Sequence, residues 1–172
     1  MDRNTHARDA QLRAISVFEK RPESAQVINK GAAEVGDGLS CTYHQDGHDV
    51  IIDMPHAVGG SDQGPTPGFF ARAAICGCLA IGIKMTAARE GLHLDKVRVG
   101  IEQDFDNRGV LGMADAHVAP KATRIVIDLA SPENRETLQA MVDRALVHDP
   151  WFVAFRDAQP IETSITLAAE VD

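Results

Sequence analysis

Three thiols, Cys41, Cys76 and Cys78, are the natural nucleophiles of this chain. A thiolate attacks; a thiol does not, and apolar surroundings raise the thiol pKa. Between Ala73 and Ile83 there is no charged or strongly polar side chain. Cys78 is therefore either a packing residue, as free cysteines commonly are, or a reactive thiol that needs a positive neighbour and access to substrate. Cys76 and Cys78 invite comparison with a redox pair. Two residues along a helix, however, are about 200° of rotation, so the sulfurs point apart and a direct disulfide requires unwinding.

The other candidates are more open. None of the seven histidines stands in an HExxH or zinc-type spacing. His44 and His48 flank one turn, where they are either solvated or a metal pair; no metal is expected. His56 precedes a glycine-rich loop and is a candidate pocket residue. Arg72 is the only charge in the two turns after Phe69. It is solvated, paired within the structure, or directed at a substrate. Gly59, Gly60 and Gly64 match neither GxGxxG nor GxxxxGK[ST], so no phosphate cofactor is expected, and tight turning is their role. Trp151, Phe152 and Phe155 form an aromatic group that packs in the core or lines a pocket.

The element that must position Cys78 is the stretch from Thr66 to Gly91. Thr66 is a suitable N-cap, Pro67 fits the first helical position, and Gly91 fits the residue after the helix. Being apolar on every side through its centre, this helix is expected to be buried on every side. Around it the period changes. A helix is expected over His6–Lys20 with Leu12, Ile15 and Phe18 on one side, ended by Pro22. Leu39–Tyr43 and His48–Ile52 alternate about Asp46-Gly47 as a hairpin, preceded by a weaker strand within Gln26–Val35. Val97, Val99 and Ile101 share one strand face, and Ile125, Ile127 and Leu129 another. Ser131-Pro132 is expected to start a helix with Leu138, Met141, Val142, Ala145 and Leu146 as its stripe. Asp149-Pro150 starts a short helix through Phe155, and Ile161–Val171 is a final strand. The order is α+β, with helices on antiparallel sheet, in one domain of 172 residues whose first 22 form an N-terminal helical extension.

Composition narrows the function classes. A net charge of −8 disfavours nucleic acid as a partner. No stretch reaches about 18 uninterrupted apolar residues, so no membrane span is expected. An odd number of cysteines with no apolar run after the N-terminal basic residues suggests a reducing, cytoplasmic setting.

The run GHDVIIDMPHAVGGSDQGPTPGFFARAAICGCLAIGIKMTAAREGLHLDKVRV resembles the OsmC/Ohr family, the osmotically inducible and organic hydroperoxide resistance proteins. Its marks are a strand, a D-x-P and Gly-Gly loop, and a Pro-initiated helix with a cysteine eleven residues after the Pro, here Pro67 and Cys78. DNRGVLGMADAHVAP and the segments after it look like the OsmC-like branch, and the likeness spans about residues 39–171. The resemblance implies an intertwined homodimer with two antiparallel sheets around two central helices. It also implies a thiol peroxidase acting at the subunit interface. There a peroxidatic cysteine becomes a sulfenic acid, a second cysteine resolves it, and an Arg and a Glu polarise the site. Carried over by position, Cys78 matches the peroxidatic cysteine. The place of the Glu is Gly68, and the place of the second cysteine is Asp149. No arginine lies between Pro22 and Phe70 to match the Arg. Asp149, if it faces the sulfur, would raise the thiol pKa further, and Arg72 would replace the cation only from across the dimer. The expected function is a one-Cys hydroperoxide reductase served by an external thiol. The alternatives are a non-catalytic relative binding a small apolar ligand at the dimer interface, and an interaction protein with no pocket chemistry.

Overall fold

The computed structural model describes residues 3–167. Helix α1 (Arg3–Lys20) is followed by a short 3-10 turn at Pro22–Ala25. It docks on the later central helix through Arg89, whose guanidinium donates to Gln11 Oε1 at 2.5 Å and to Thr86 Oγ1 at 3.0 Å. The expected stripe of Leu12, Ile15 and Phe18 is exposed.

Strands β1 (Ala32–Val35), β2 (Cys41–Gln45) and β3 (His48–Ile52) form an antiparallel meander in that order. The β2–β3 turn has Asp46 at φ 51° and Gly47 at φ 78°, two left-handed residues. This is the turn whose twist matches the flanking strands. Only the last part of the Gln26–Val35 stretch is a strand.

Helix α2 (Pro67–Glu90) ends as expected. The amide of Leu92 donates to Ala87 O and that of Gly91 to Ala88 O, a Schellman closure. At its start the Thr66 side chain makes no capping bond; the Thr66 carbonyl instead accepts from the Phe69 amide at 2.9 Å. Strands β4 (Lys96–Asp104) and β5 (Ala122–Ala130) form a separate antiparallel pair. Val97 faces Leu129, Val99 faces Ile127 and Ile101 faces Ile125, the apolar face read from alternation. The opposite face carries solvated ion pairs, Arg98 with Asp128 and Arg124 with Glu102 and Asp104. Helices α3 (Arg135–Val147) and α4 (Pro150–Arg156) complete the described chain. The core joins α2 and α3 through Ile83, Ala87, Leu94, Met141, Val142 and Ala145, with Val97 of β4 and Ile127 and Leu129 of β5 packed against it.

Four expectations are corrected. First, α2 is buried on one side only, through Ile75, Leu79, Ile83, Thr86, Ala87 and Ala88. Its other side leaves Phe69 at 51%, Ile81 at 62% and Met85 at 40% exposure. By length and composition α2 would suffice to cross a bilayer, but its packing on α1, α3, α4 and β4 marks it as the core helix. Second, the sheet is two sheets. Only β4–β5 lies on α2, while β1–β3 have no substantial contact with any helix of the chain among the described residues. Third, residues 161–167 are not a strand: no neighbour in the described chain offers them a ladder, and Ile161, Ile165 and Leu167 stand 85–89% exposed. Residues 168–171 of that expected strand lie outside the described residues. Fourth, α3 starts at Asn134, whose Oδ1 accepts from the Thr137 amide at 2.9 Å. Ser131 instead builds the preceding turn, accepting from the Glu133 amide and donating to His93 O.

Candidate functional site

Cys78 lies near the middle of α2 and is partly buried. Gly82, four residues on, shares its helix face. Over that face sits Asp149, the N-cap of α4, itself only 3% exposed. Its placement follows from the Asp-Pro pair: Oδ1 accepts from the Phe152 amide at 2.8 Å, and Pro150 begins the helix. The other oxygen, Oδ2, is turned toward α2. A Cβ added at Gly82 would lie 3.3 Å from it, so the glycine makes room for the carboxylate. Oδ2 is sealed from solvent and no hydrogen bond of regular geometry reaches it; beyond the Phe152 amide on Oδ1, the one donor near enough to act on the carboxylate is the Cys78 thiol. Cys78 is legible from the residues themselves, Asp149 only by its position within the family resemblance; the signal for Gly82 is its i+4 spacing from Cys78.

Electrostatics at the sulfur run one way. Burial pushes the Cys78 thiol up. The Asp149 carboxylate, as an acceptor and by its charge, pushes it further, against a smaller opposing effect of the Trp151 amide. Among the described residues no cation acts on this sulfur. Arg72 lies back along α2, its Nη1 3.1 Å from where a Cβ on Gly68 would be. His56 Nδ1 is 2.9 Å from Gly60 O, in the loop after β3. Within one chain, therefore, the structure joins Cys78 to Asp149 and to neither Arg72 nor His56. Cys76 is raised by burial alone, and Cys41 sits in β2 opposite Ile52. All three cysteines are free. His44 pairs with Asp49 at 2.7 Å, and no cluster of three metal-ligating side chains occurs among the described residues.

The D-x-P and Gly-Gly loop that delivers the chain to α2 is built around Asp53, which is 1% exposed. Its carboxylate accepts from the amides of Met54 at 2.7 Å, Gln63 at 3.1 Å and Ser61 at 3.3 Å. Gly60 is required by close approach, since a Cβ there would fall 1.7 Å from Met54 O. These amides, the Gln63 amide foremost, hold the Asp53 carboxyl below its ordinary range against the opposing effect of burial. A lowered folded-state pKa contributes stability that is present above the unfolded value and lost as pH falls through the folded one. The wild-type urea midpoint should therefore drop as pH falls below about 4. Asp53→Asn should start lower at pH 7 and lose less on acidification. Equal acid slopes for the two proteins would remove Asp53 as the cause.

The comparisons with known proteins agree on architecture. A family model described as OsmC-like protein matches residues 60–164, a shorter span than the resemblance over about 39–171. The structure is similar to an OsmC-like protein from Mycoplasma pneumoniae, with TM-score 0.64 and 12% identity, over 76% of this chain and 89% of that one. It is similar to an organic hydroperoxide resistance protein OsmC from Legionella pneumophila, with TM-score 0.58 and 18% identity, over 76% and 90%. OhrB of Bacillus subtilis, an organic hydroperoxide resistance protein, matches with TM-score 0.53 and 20% identity, over 76% and 91%. No curated protein matches the sequence. Identities this low speak for the fold alone.

Proposed function

Because this chain belongs to the OsmC-like protein family, we propose that Cys78 is its working thiol, in a homodimer that reduces organic hydroperoxides at the expense of an external thiol. The observation that most supports this reading is the meeting of Cys78 with Asp149. The fold brings to the Cys78 sulfur the position at which the family resemblance expects the resolving residue. In the reaction the sulfur forms a bond to the outer peroxide oxygen, the O–O bond breaks, and an alcohol leaves. The thiol is oxidised to a sulfenic acid. Two external thiols then return it to the thiol, forming their own disulfide and water. External reduction is required because Asp149 is not a thiol and Cys76 points away along the helix.

Three unpartnered surfaces support the dimer. Phe69, Ala73, Gly77, Ile81 and Met85 recur every four residues on the open side of α2. Among the described residues the β1–β3 sheet has no helix of its own chain to pack on, and the segment 161–167 exposes Ile161, Ile165 and Leu167. A second copy supplies complementary surface for all three, in a closed twofold arrangement.

A raised thiol pKa leaves less thiolate at pH 7 than the few per cent of an ordinary cysteine, so turnover should be slow. Consumption of cumene hydroperoxide with dithiothreitol or dihydrolipoamide tests the reading. We expect turnover that falls to background in Cys78→Ser and survives in Cys41→Ser and Cys76→Ser. A second reading, a non-catalytic pocket for a small apolar ligand, is favoured by that raised thiol and by the exposed rings of Trp151 and Phe155. It predicts no turnover in the wild type and an apolar molecule carried through purification.

A further inference from the structure

We propose that Asp149 is a catalytic proton relay: its free Oδ2 takes the thiol proton as Cys78 attacks the hydroperoxide and hands that proton to the departing oxygen. This inference rests on the hydroperoxide reading above.

Three observations carry it. The first is the orphaned oxygen. A carboxylate oxygen sealed from water, with no regular hydrogen bond and only a thiol close enough to act as donor, is costly, and such groups in folded proteins call for an explanation. The second is its fixed aim. Oδ1 is tied to the Phe152 amide, which leaves Oδ2 directed at the helix face shared by Cys78 and Gly82, and the missing side chain of Gly82 admits it. The third is the weakness of any competing device: only the Trp151 amide opposes the carboxylate, and it is outweighed. Among the described residues, Asp149 is the only charged side chain acting on the sulfur; α2 contributes none from its own length. A thiol with no cation to stabilise its thiolate must lose its proton during the attack rather than before it. The neighbour able to receive that proton is a carboxylate.

The step balances. The sulfur lone pair forms the S–O bond, and the O–O bonding pair leaves on the alkoxide oxygen. The S–H proton passes to Oδ2 and from Oδ2 to the alkoxide. The products are the sulfenic acid and the alcohol, and Asp149 ends with its original charge. The sulfur is oxidised by two electrons and the peroxide is reduced by two. The same carboxylate that disfavours a free thiolate thus assists the neutral thiol.

Asp149→Asn tests this, because Asn keeps the shape and the capping oxygen but neither the charge nor the proton acceptor. Two rates should move in opposite directions. Alkylation of Cys78 by iodoacetamide at pH 7 should become faster, because the repelling charge is gone. Hydroperoxide consumption should fall by about 10²-fold or more, the usual worth of general acid–base assistance. The wild-type hydroperoxide rate should be nearly flat between about pH 6 and 8, while the variant's rate should climb about tenfold per pH unit with its thiolate fraction. Gly82→Ala provides a second variant that keeps the carboxylate but displaces it. It should slow hydroperoxide consumption by on the order of tenfold with little change in alkylation. If Asp149→Asn consumes hydroperoxide as fast as the wild type or faster, the relay is overturned while the peroxidase reading stands. If the wild type shows no Cys78-dependent turnover, the parent reading falls and the relay falls with it.

Discussion

Placing aspartate at position 81 is expected to dissociate the protein into monomers. Within one chain Ile81 is 62% exposed, and a polar replacement at such a site normally changes stability by less than about 0.5 kcal/mol. In a twofold dimer formed through the open side of α2, the same residue is buried twice. An unpaired charge buried at an interface costs about 2 kcal/mol or more. Two copies give about 4 kcal/mol, or roughly a thousandfold weaker association. Sedimentation equilibrium at micromolar protein should show the wild type as a dimer and Ile81→Asp as a monomer. The urea midpoint of the variant should also be lower, because β1–β3 and residues 161–167 lose their partner surface together. A wild type that is monomeric, or a variant that dimerises as well, would remove the dimer from the proposed function. The experiment reads a property that single-chain packing cannot supply: a large penalty at a solvent-facing residue.

Replacing Asp149 by cysteine is expected to convert the site from a one-thiol to a two-thiol centre. The Asp149 side chain already acts on the Cys78 sulfur and points at the face of Cys78 and Gly82. A thiol introduced there meets the sulfenic acid formed on Cys78, condenses with it, and releases water. After one equivalent of hydroperoxide, the variant should lose two of its four thiols and become two hydrogens lighter, with Cys41 and Cys76 still reduced. Wild type under the same treatment should form no internal disulfide. The substitution also removes the carboxylate that repels a thiolate, so alkylation of Cys78 should be faster before oxidation. Loss of the Asp cap on α4 costs about 1 kcal/mol, small beside a change in covalent state. If oxidation leaves all four thiols free, or joins another pair, the placement of Asp149 over Cys78 is overturned.

Local signals in the sequence were sufficient for most of what a residue's immediate neighbours decide; Thr66 as a side-chain cap and Ser131 as the start of α3 were the exceptions. Pro67 and Gly91 bound α2, Asp46-Gly47 closes the β2–β3 turn, and Asp149-Pro150 starts α4. Each of these is a backbone preference acting over four or five residues, so it survives whatever surrounds it. Asp149 is reached only by position within a resemblance, and whether it faces Cys78 is not legible in the sequence. The Asp53 hub is not legible either, because three amides converge on it only after the loop has closed.

Burial was a different matter. The apolar run in α2 reads as a helix enclosed on all sides, yet one chain encloses only half of it. The alternating residues from 161 onward read as a strand, yet they have no ladder within the described chain. Hydrophobic pattern states that a surface must be covered; it does not state by which chain. Likewise, composition made Cys78 an apolar thiol. Only the folded molecule aimed an unpartnered carboxylate oxygen at it and left Arg72 elsewhere, since electrostatic fields depend on distance in space and not along the chain.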